Sequence, residues 1–267
     1  MSTAAAPVRP RDVTLPFVLR SEWRKLRSLR STVLTVATAG AFMVLFAAVG
    51  AVDLAGDWDG ATPAERAEMD AAQALLSGWF LVQVVVGVLG VLTVTSEYAS
   101  GTIATTLAAV PRRVPVLLAK LAVPAAVTLA VLLPSTLMAL VVGNALLPPE
   151  LRIAAGDDGL VRAAVGACVG LTGVCALGTA LGFLLRSTAG AIGLLVTVLL
   201  VLPGMVAGLS DGLHRVLPSR ALDALATVHP ARSAFPLLDW PVALAVLGAY
   251  VGLTAAGAAA VLRRRDA

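Results

Sequence analysis

Charge, aromatic side chains and cysteine are all scarce in this 267-residue chain. Only 13% of the residues are charged and 4% aromatic, against 58% apolar, and the mean hydropathy is +0.91. Soluble domains carry about 25% charged and 45 to 50% apolar residues, so a single soluble core is excluded. The two cysteines, Cys168 and Cys175, supply neither a disulfide framework nor a zinc motif. Both lie in one apolar run, and on a helix their spacing puts them on one face about 10.5 Å apart, beyond disulfide reach. They read as small packing residues.

Chemistry is scarce too. No phosphate-binding loop of the G-x-x-x-x-G-K-[ST] type and no H-E-x-x-H pair occurs. His214 and His229 have no cysteine or histidine at ligand spacing and read as loop residues. The acidic loop Asp53, Asp57, Asp59, Glu65, Glu68 and Asp70 lacks the regular ligand spacing of an EF-hand, so no metal site is expected.

What the chain does have is long uncharged runs. Six of them exceed or approach the roughly 20 helical residues that cross a bilayer: Thr32–Val52, Ala71–Ser96, Leu121–Pro149, Ala163–Leu185, Ser187–Ser210 and Trp240–Leu262. They are continuous rather than alternating, which excludes a transmembrane barrel. The expected fold is an all-α integral membrane protein with six transmembrane helices in one domain, residues 32–262. No ionisable residue falls inside these runs, so the proton and ion relays of secondary carriers are not expected.

The basic residues give a direction. With the N-terminus inside, the inner segments hold 14 of the 20 lysines and arginines and 4 of the 16 acids, a sum of +10; the outer segments sum to 6 − 12 = −6. Both termini are therefore expected in the cytoplasm, at the cytoplasmic cell membrane. The net charge of +4 reflects topology and gives no reason to expect nucleic-acid binding.

Residues 1–14 read as a disordered cytoplasmic tail and residues 263–267 as a basic cytoplasmic C-terminus. Between the tail and the first span, residues 15–31 carry Leu15, Val18, Leu19, Trp23 and Leu26 at helical spacing among Arg20, Arg24, Lys25, Arg27 and Arg30. This is the pattern of an amphipathic helix in the headgroup plane, although such charges also simply flank a signal anchor. In the fourth run, Gly166, Gly170, Gly178 and Gly182 form two small-xxx-small pairs for close helix packing, and Gly204/Gly208 and Gly248/Gly252 repeat the spacing. Pro124 and Pro134 are expected to kink the third span. The tract from Asp211 to Asp239 has two helix-spaced apolar sets broken by Pro218 and Pro230, which suggests two short amphipathic or re-entrant helices.

The loop between the second and third runs is longer than a simple turn. Glu97 and Tyr98 stand at the membrane exit, a Gly101-Thr102 pair starts a short helix with Thr102 as its cap, an apolar run leads from Ile103 to Val110, and Pro111-Arg112-Arg113 stops it. Lys120 follows. Glu97 is expected either to bond the backbone donors of the next helix or to meet a basic residue of a partner.

These residues, together with the basic entry segment Ser21-Glu22-Trp23-Arg24-Lys25-Leu26 and the six-span layout, resemble the membrane subunits of ABC-2 type transporters. The resemblance implies that Glu97, Tyr98, Gly101, Thr102, Ile103, Pro111, Arg112 and Arg113 belong to a coupling helix that docks on a separate ABC ATPase subunit. It implies that Trp23, Arg24, Lys25 and Arg27 lie on a connecting helix at the membrane surface, and that a second permease subunit completes a homo- or heterodimer. The subunit then has no catalytic site or cofactor of its own, since ATP and magnesium bind to the ATPase. Export is the implied direction. Uncharged polar groups along the spans, with Gln83 and Asn144 foremost, point to a hydrophobic or amphipathic drug, peptide or lipid as cargo. A non-transporting membrane anchor or assembly factor, or a secondary carrier, is the alternative.

Overall fold

A computed structural model describes residues 14–109, 113–154, 156–233 and 235–264. Most of the N-terminal tail, Pro111 and Arg112 of the inner loop, and residues 265–267 of the basic C-terminus lie outside them. Among the described residues every regular element is helical, and six helices are long and apolar enough to cross a membrane.

Helix α1 spans Leu15–Ser28, and a single extended residue, Leu29, separates it from the first long helix, α2, Arg30–Trp58. A short helix α3, Pro63–Glu68, is held by a capping box: the Thr62 N–H donates to Glu65 Oε2 at 2.7 Å, and the Glu65 N–H donates to Thr62 Oγ1 at 3.4 Å. The second span, Ala71–Ala99, is built from α4, Ala71–Leu76, and α5, Trp79–Ala99. The break falls at Gly78, where an added Cβ would lie 3.0 Å from the Met43 Cα of α2. Helix α6, Thr102–Ala109, leads to the third span α7, Arg113–Leu146, which contains both Pro124 and Pro134.

Helix α8, Leu160–Leu185, turns sharply at Arg186, whose φ of 52° makes it the one non-glycine residue in the left-handed region among the described residues. The fifth span, Thr188–Val206, consists of α9, Thr188–Val196, a π-helical segment over Thr197–Val201, and α10, Leu202–Val206. Pro203 has no N–H to give the regular ladder, and the widened turn just before it absorbs that loss. Two short helices, α11, Asp211–Arg215, and α12, Pro218–Ala226, precede the last span, α13, Trp240–Arg264. Pro218 opens α12 rather than ending a helix, which suits a first-turn position where no N–H is needed.

Helix α8 is the centre of the bundle: 67% of its most apolar window is buried inside the protein, against 17% for α13. Its four glycines serve two different neighbours. An added Cβ would lie 2.2 Å from Leu225 O at Gly166 and 2.4 Å from Leu222 Cδ1 at Gly170, both on α12; at Gly178 it would lie 2.1 Å from Gly87 O and at Gly182 3.1 Å from Val91 O, both on α5. Gly204, Gly208, Gly248 and Gly252 meet nothing within 4 Å, so their equal spacing carries no packing role inside this chain. Cys168 and Cys175 are buried free thiols, and the Cys168 Sγ lies 3.3 Å from the Thr136 hydroxyl.

The third span starts eight residues before the uncharged run does, and the second ends three after it. Consequently Glu97 and Lys120 lie within spanning helices, where the sequence placed no ionisable group. Pairing with each other makes this possible.

Candidate functional site

At the end of the bundle that holds α1, four charged residues from three helices form one cluster. Lys120 of α7 is 1% exposed, and its Nζ donates to Glu22 Oε2 of α1 at 2.9 Å and meets Glu97 Oε1 of α5 at 2.8 Å. Lys25 of α1 donates to Glu22 Oε1 at 2.8 Å and to the same Glu97 oxygen at 2.9 Å. The charges alternate and cancel, which lowers the cost of removing them from water. Lys120 also donates to the Thr93 carbonyl at 3.2 Å, and Lys25 to Thr106 Oγ1 of α6 at 3.4 Å. Burial lowers the Lys25 pKa, but the hydrogen bonds and charges of Glu22 and Glu97 outweigh it and hold the ammonium above the usual lysine value.

Glu97 therefore meets two lysines of its own chain. Its bound oxygen does not meet the backbone of α6, one of the two partners expected from sequence, and its Oε2 is buried without a partner among the described residues.

Next to the charges lies an apolar layer. Ile103 and Leu107 of α6 are buried against Val18 of α1, Val94 of α5, Val116 of α7 and Leu262 of α13. Gly101, at φ 72°, turns the chain out of α5, a backbone conformation that glycine adopts without strain. Thr102 is the first residue of α6 rather than its cap, and its carbonyl accepts from Thr105 Oγ1 at 2.8 Å. Thr102, Ala104, Thr105 and Ala108 are exposed, so α6 keeps one face on the bundle and leaves the other bare.

Tyr98 stacks under Arg186, whose guanidinium carbon is 5.2 Å from the ring centre. Arg113 Nη1 donates to the Leu262 carbonyl at 2.6 Å and ties the start of α7 to the end of α13. On α1 the buried residues are Val18, Glu22 and Leu26, while Trp23, Arg24 and Arg27 are exposed. The apolar set expected from sequence thus divides, since Leu15 and Trp23 face away from the bundle. Glu22 and Lys120 stand in the residue strings that carry the resemblance, but sequence reasoning gave neither of them a place in the site. An EWRK string on an amphipathic helix looks fully solvated, and the only cue was a buried-face register of four residues, Val18-Glu22-Leu26.

The two candidate path residues have different surroundings. Asn144 is occupied structurally: its Nδ2 donates to the Ile153 carbonyl at 3.1 Å and its Oδ1 accepts from the Ile153 N–H at 2.9 Å. Gln83 is fully buried and lines a cavity of about 320 Å³ at the other end of the bundle, formed by α5, the fifth span, α11 and α12. At that end His229 Nδ1 lies 2.7 Å from Asp70 Oδ2, and His214 is buried edge-on to Phe235. Burial, with Arg220 nearby, lowers the His214 pKa, and burial raises that of Asp223.

Gly208-Leu209-Ser210-Asp211-Gly212 spells the letters of a hydrolase nucleophile elbow, but Ser210 caps α11, accepting from the Leu213 N–H at 3.4 Å. An elbow is a strand-to-helix turn, and no strand occurs among the described residues. No group of three metal-ligating side chains occurs among them either.

Six spanning helices around a small-residue core, with an alternating charge cluster at one end, define a multi-pass membrane protein. The sequence profile of the family described as ABC-2 family transporter protein matches residues 18–206, and the chain belongs to that family. No curated protein matches it. It is a transporter permease, of the type that works in general with an ABC ATPase subunit.

Proposed function

We propose that this chain is the membrane subunit of an ATP-driven exporter of amphipathic compounds in the cytoplasmic membrane, with α6 as the helix on which a separate ATPase acts. The observation that carries the reading is the attachment of α6: its buried face and Thr106 are joined to α1, α5 and α7 through one apolar layer and one charge cluster. A push on its bare face is passed to three helices together. The split of basic residues, 14 to 6, supports a cytoplasmic location for that end, with α1 in the headgroup plane and both termini inside.

In this reading the ATPase binds ATP and magnesium, and two permease subunits enclose the path. Closure of the ATPase pair favours one of two bundle arrangements by differential binding, as any such shift requires. Between their charged ends the spans offer a small ion no counter-charge among the described residues, whereas an amphipathic molecule needs none. Lys120 and Glu97 hold helices together rather than relay protons, which separates this reading from a secondary carrier.

The test is co-purification with an ATPase subunit encoded next to it, followed by ATP hydrolysis in lipid and accumulation of lipophilic dyes and antibiotics in cells. Hydrolysis stimulated by the subunit and dye expulsion that needs both proteins are expected. Complex-dependent efflux of sodium with no effect on any lipophilic compound contradicts it, and a stable complex without transport of either kind favours the anchor alternative.

A further inference from the structure

The cavity of about 320 Å³ beside Gln83 has a chemical composition of its own. One wall is apolar, with Trp79, Phe80, Leu199 and Pro203; the other carries Ser219, Arg220, Asp223 and His214. Gln83 is 0% exposed and Ser219 6%, and polar side chains buried to that degree normally have partners. Gln83 Nε2 donates to the Phe80 carbonyl at 2.9 Å, but Gln83 Oε1 and Ser219 Oγ accept and donate nothing among the described residues.

Arg220 is the most informative residue. Its Nη1 is held by Asp223 Oδ2, and its guanidinium lies 5.5 Å from the centre of the Phe235 ring. Nε and Nη2, the two donors along the remaining edge of the fork, are buried and unpaired. Two parallel N–H groups on one edge match the paired oxygens of a carboxylate or phosphate, a geometry that a lysine does not offer. The Thr227 hydroxyl, which donates to the Asp223 carbonyl at 2.7 Å, lies 3.2 Å from Asp223 Oδ1, and the carboxylate holds Nη1 so that the free edge of the guanidinium turns away from the pair.

We propose that this cavity is a binding site for an amphiphile whose head carries paired acidic oxygens beside an N–H or O–H donor. The acidic group sits on the Nε/Nη2 edge of Arg220, Ser219 donates to it, Gln83 Oε1 accepts from the neighbouring donor, and the chain lies against Trp79 and Phe80. The inference deepens the export reading and rests on it for its meaning: the cavity lies at the end of the bundle opposite α6, where an exported molecule leaves.

The experiment measures binding of radiolabelled N-dodecanoylglycine, which has a carboxylate, an amide N–H and an alkyl chain, to the full-length protein in nanodiscs without any ATPase. Saturable binding is expected, with dodecanamide failing to compete. Dodecyl phosphate separates the two sources of paired oxygens: equal or stronger competition assigns the site to phosphate-headed amphiphiles, weaker competition to carboxylates, and both support the proposal. Arg220→Lys keeps the charge but loses the fork, and is expected to weaken binding at least tenfold. Gly204→Leu is the second variant, because Gly204 lines the cavity and a Cβ there meets nothing within 4 Å; the added side chain is expected to take up cavity space and abolish binding.

Absence of saturable binding, or binding indifferent to both substitutions, overturns the proposal. So does loss of self-association in Gly204→Leu with no binding in the unsubstituted protein, since a second copy of the chain then fills the cavity. Failure of ATP-driven export with binding intact counts against the export reading and leaves the site standing; export that continues with no binding does the reverse.

Discussion

A lysine that is 1% exposed inside a membrane protein persists only because both of its carboxylate partners are in reach. Lys120→Met leaves Glu22 and Glu97 buried with less compensation, and breaking a buried pair from one side costs about 3 to 5 kcal/mol. Lys25 makes the same kinds of contact, but its side chain is 37% exposed, so screening reduces Lys25→Met to about 1 kcal/mol or less. Thermal unfolding in detergent should rank the two variants in that order. The quadruple variant Glu22→Gln, Lys25→Met, Glu97→Gln, Lys120→Met should be less destabilised than the sum of its parts, because removing the whole cluster together leaves no orphan charge. The folded-state pKa of Lys25 is raised, so its contribution is complete below the unfolded value of about 10.4 and is lost only as pH rises beyond it. The Lys25→Met effect should therefore be flat between about pH 6 and 9, and a stability difference that varies in that window speaks against the assignment. Glu97, Tyr98 and Lys25 were legible in the sequence as special residues, whereas Glu22, which accepts from both lysines, was not assigned a place among them. A sequence separation of 98 residues joins Glu22 to Lys120, and no local periodicity encodes it.

Among the helices, the closest packing is between α5 and α8. Gly90 and Gly178 face each other's backbones there, with an added Cβ only 2.0 Å from Cys175 O and 2.1 Å from Gly87 O respectively. Because backbone cannot retreat, Gly178→Ala should destabilise by about 1 to 3 kcal/mol, while Gly248→Ala, which meets nothing within 4 Å, should be neutral within about 0.5 kcal/mol. Equal melting temperatures for the two variants would remove the α5–α8 contact from the account. The stripe on α8 was visible from spacing alone, and so was its copy on α13, which meets nothing within 4 Å among the described residues. Spacing says that a helix presents small residues; only the neighbour decides whether they are used. Helix α6 gives the matching functional case. Thr105→Trp on its bare face should reduce co-purification of the ATPase more than tenfold with the melting temperature unchanged, whereas Leu107→Ala on its buried face should lower the melting temperature by removing about 2 to 5 kcal/mol of packing.

On the scale of the whole molecule, six spans followed directly from uncharged runs, because a bilayer tolerates little else; the helices run past the charges Glu97 and Lys120 at some ends and stop short of the run at others, at Leu146 instead of Pro149 and at Val206 instead of Ser210. The cavity at the α12 end was not foreseeable beyond Gln83: the tract that carries Arg220, Asp223 and His214 reads as two short amphipathic or re-entrant helices, and their spacing does not say which of their polar residues face inward. Orientation is open to a direct check in a background with Cys168 and Cys175 replaced: Asp59→Cys should react with an impermeant thiol reagent added outside cells, and Thr105→Cys should not. The central claim, that ATP hydrolysed by a partner is turned into movement of amphipathic molecules through the attachment of α6, is tested most directly in proteoliposomes holding this subunit and its ATPase. ATP-dependent movement of a lipophilic dye should appear with both proteins and fall at least tenfold with Glu97→Ala, although that variant still inserts and assembles. Dye movement of equal rate without the ATPase, or unchanged by Glu97→Ala, would contradict it.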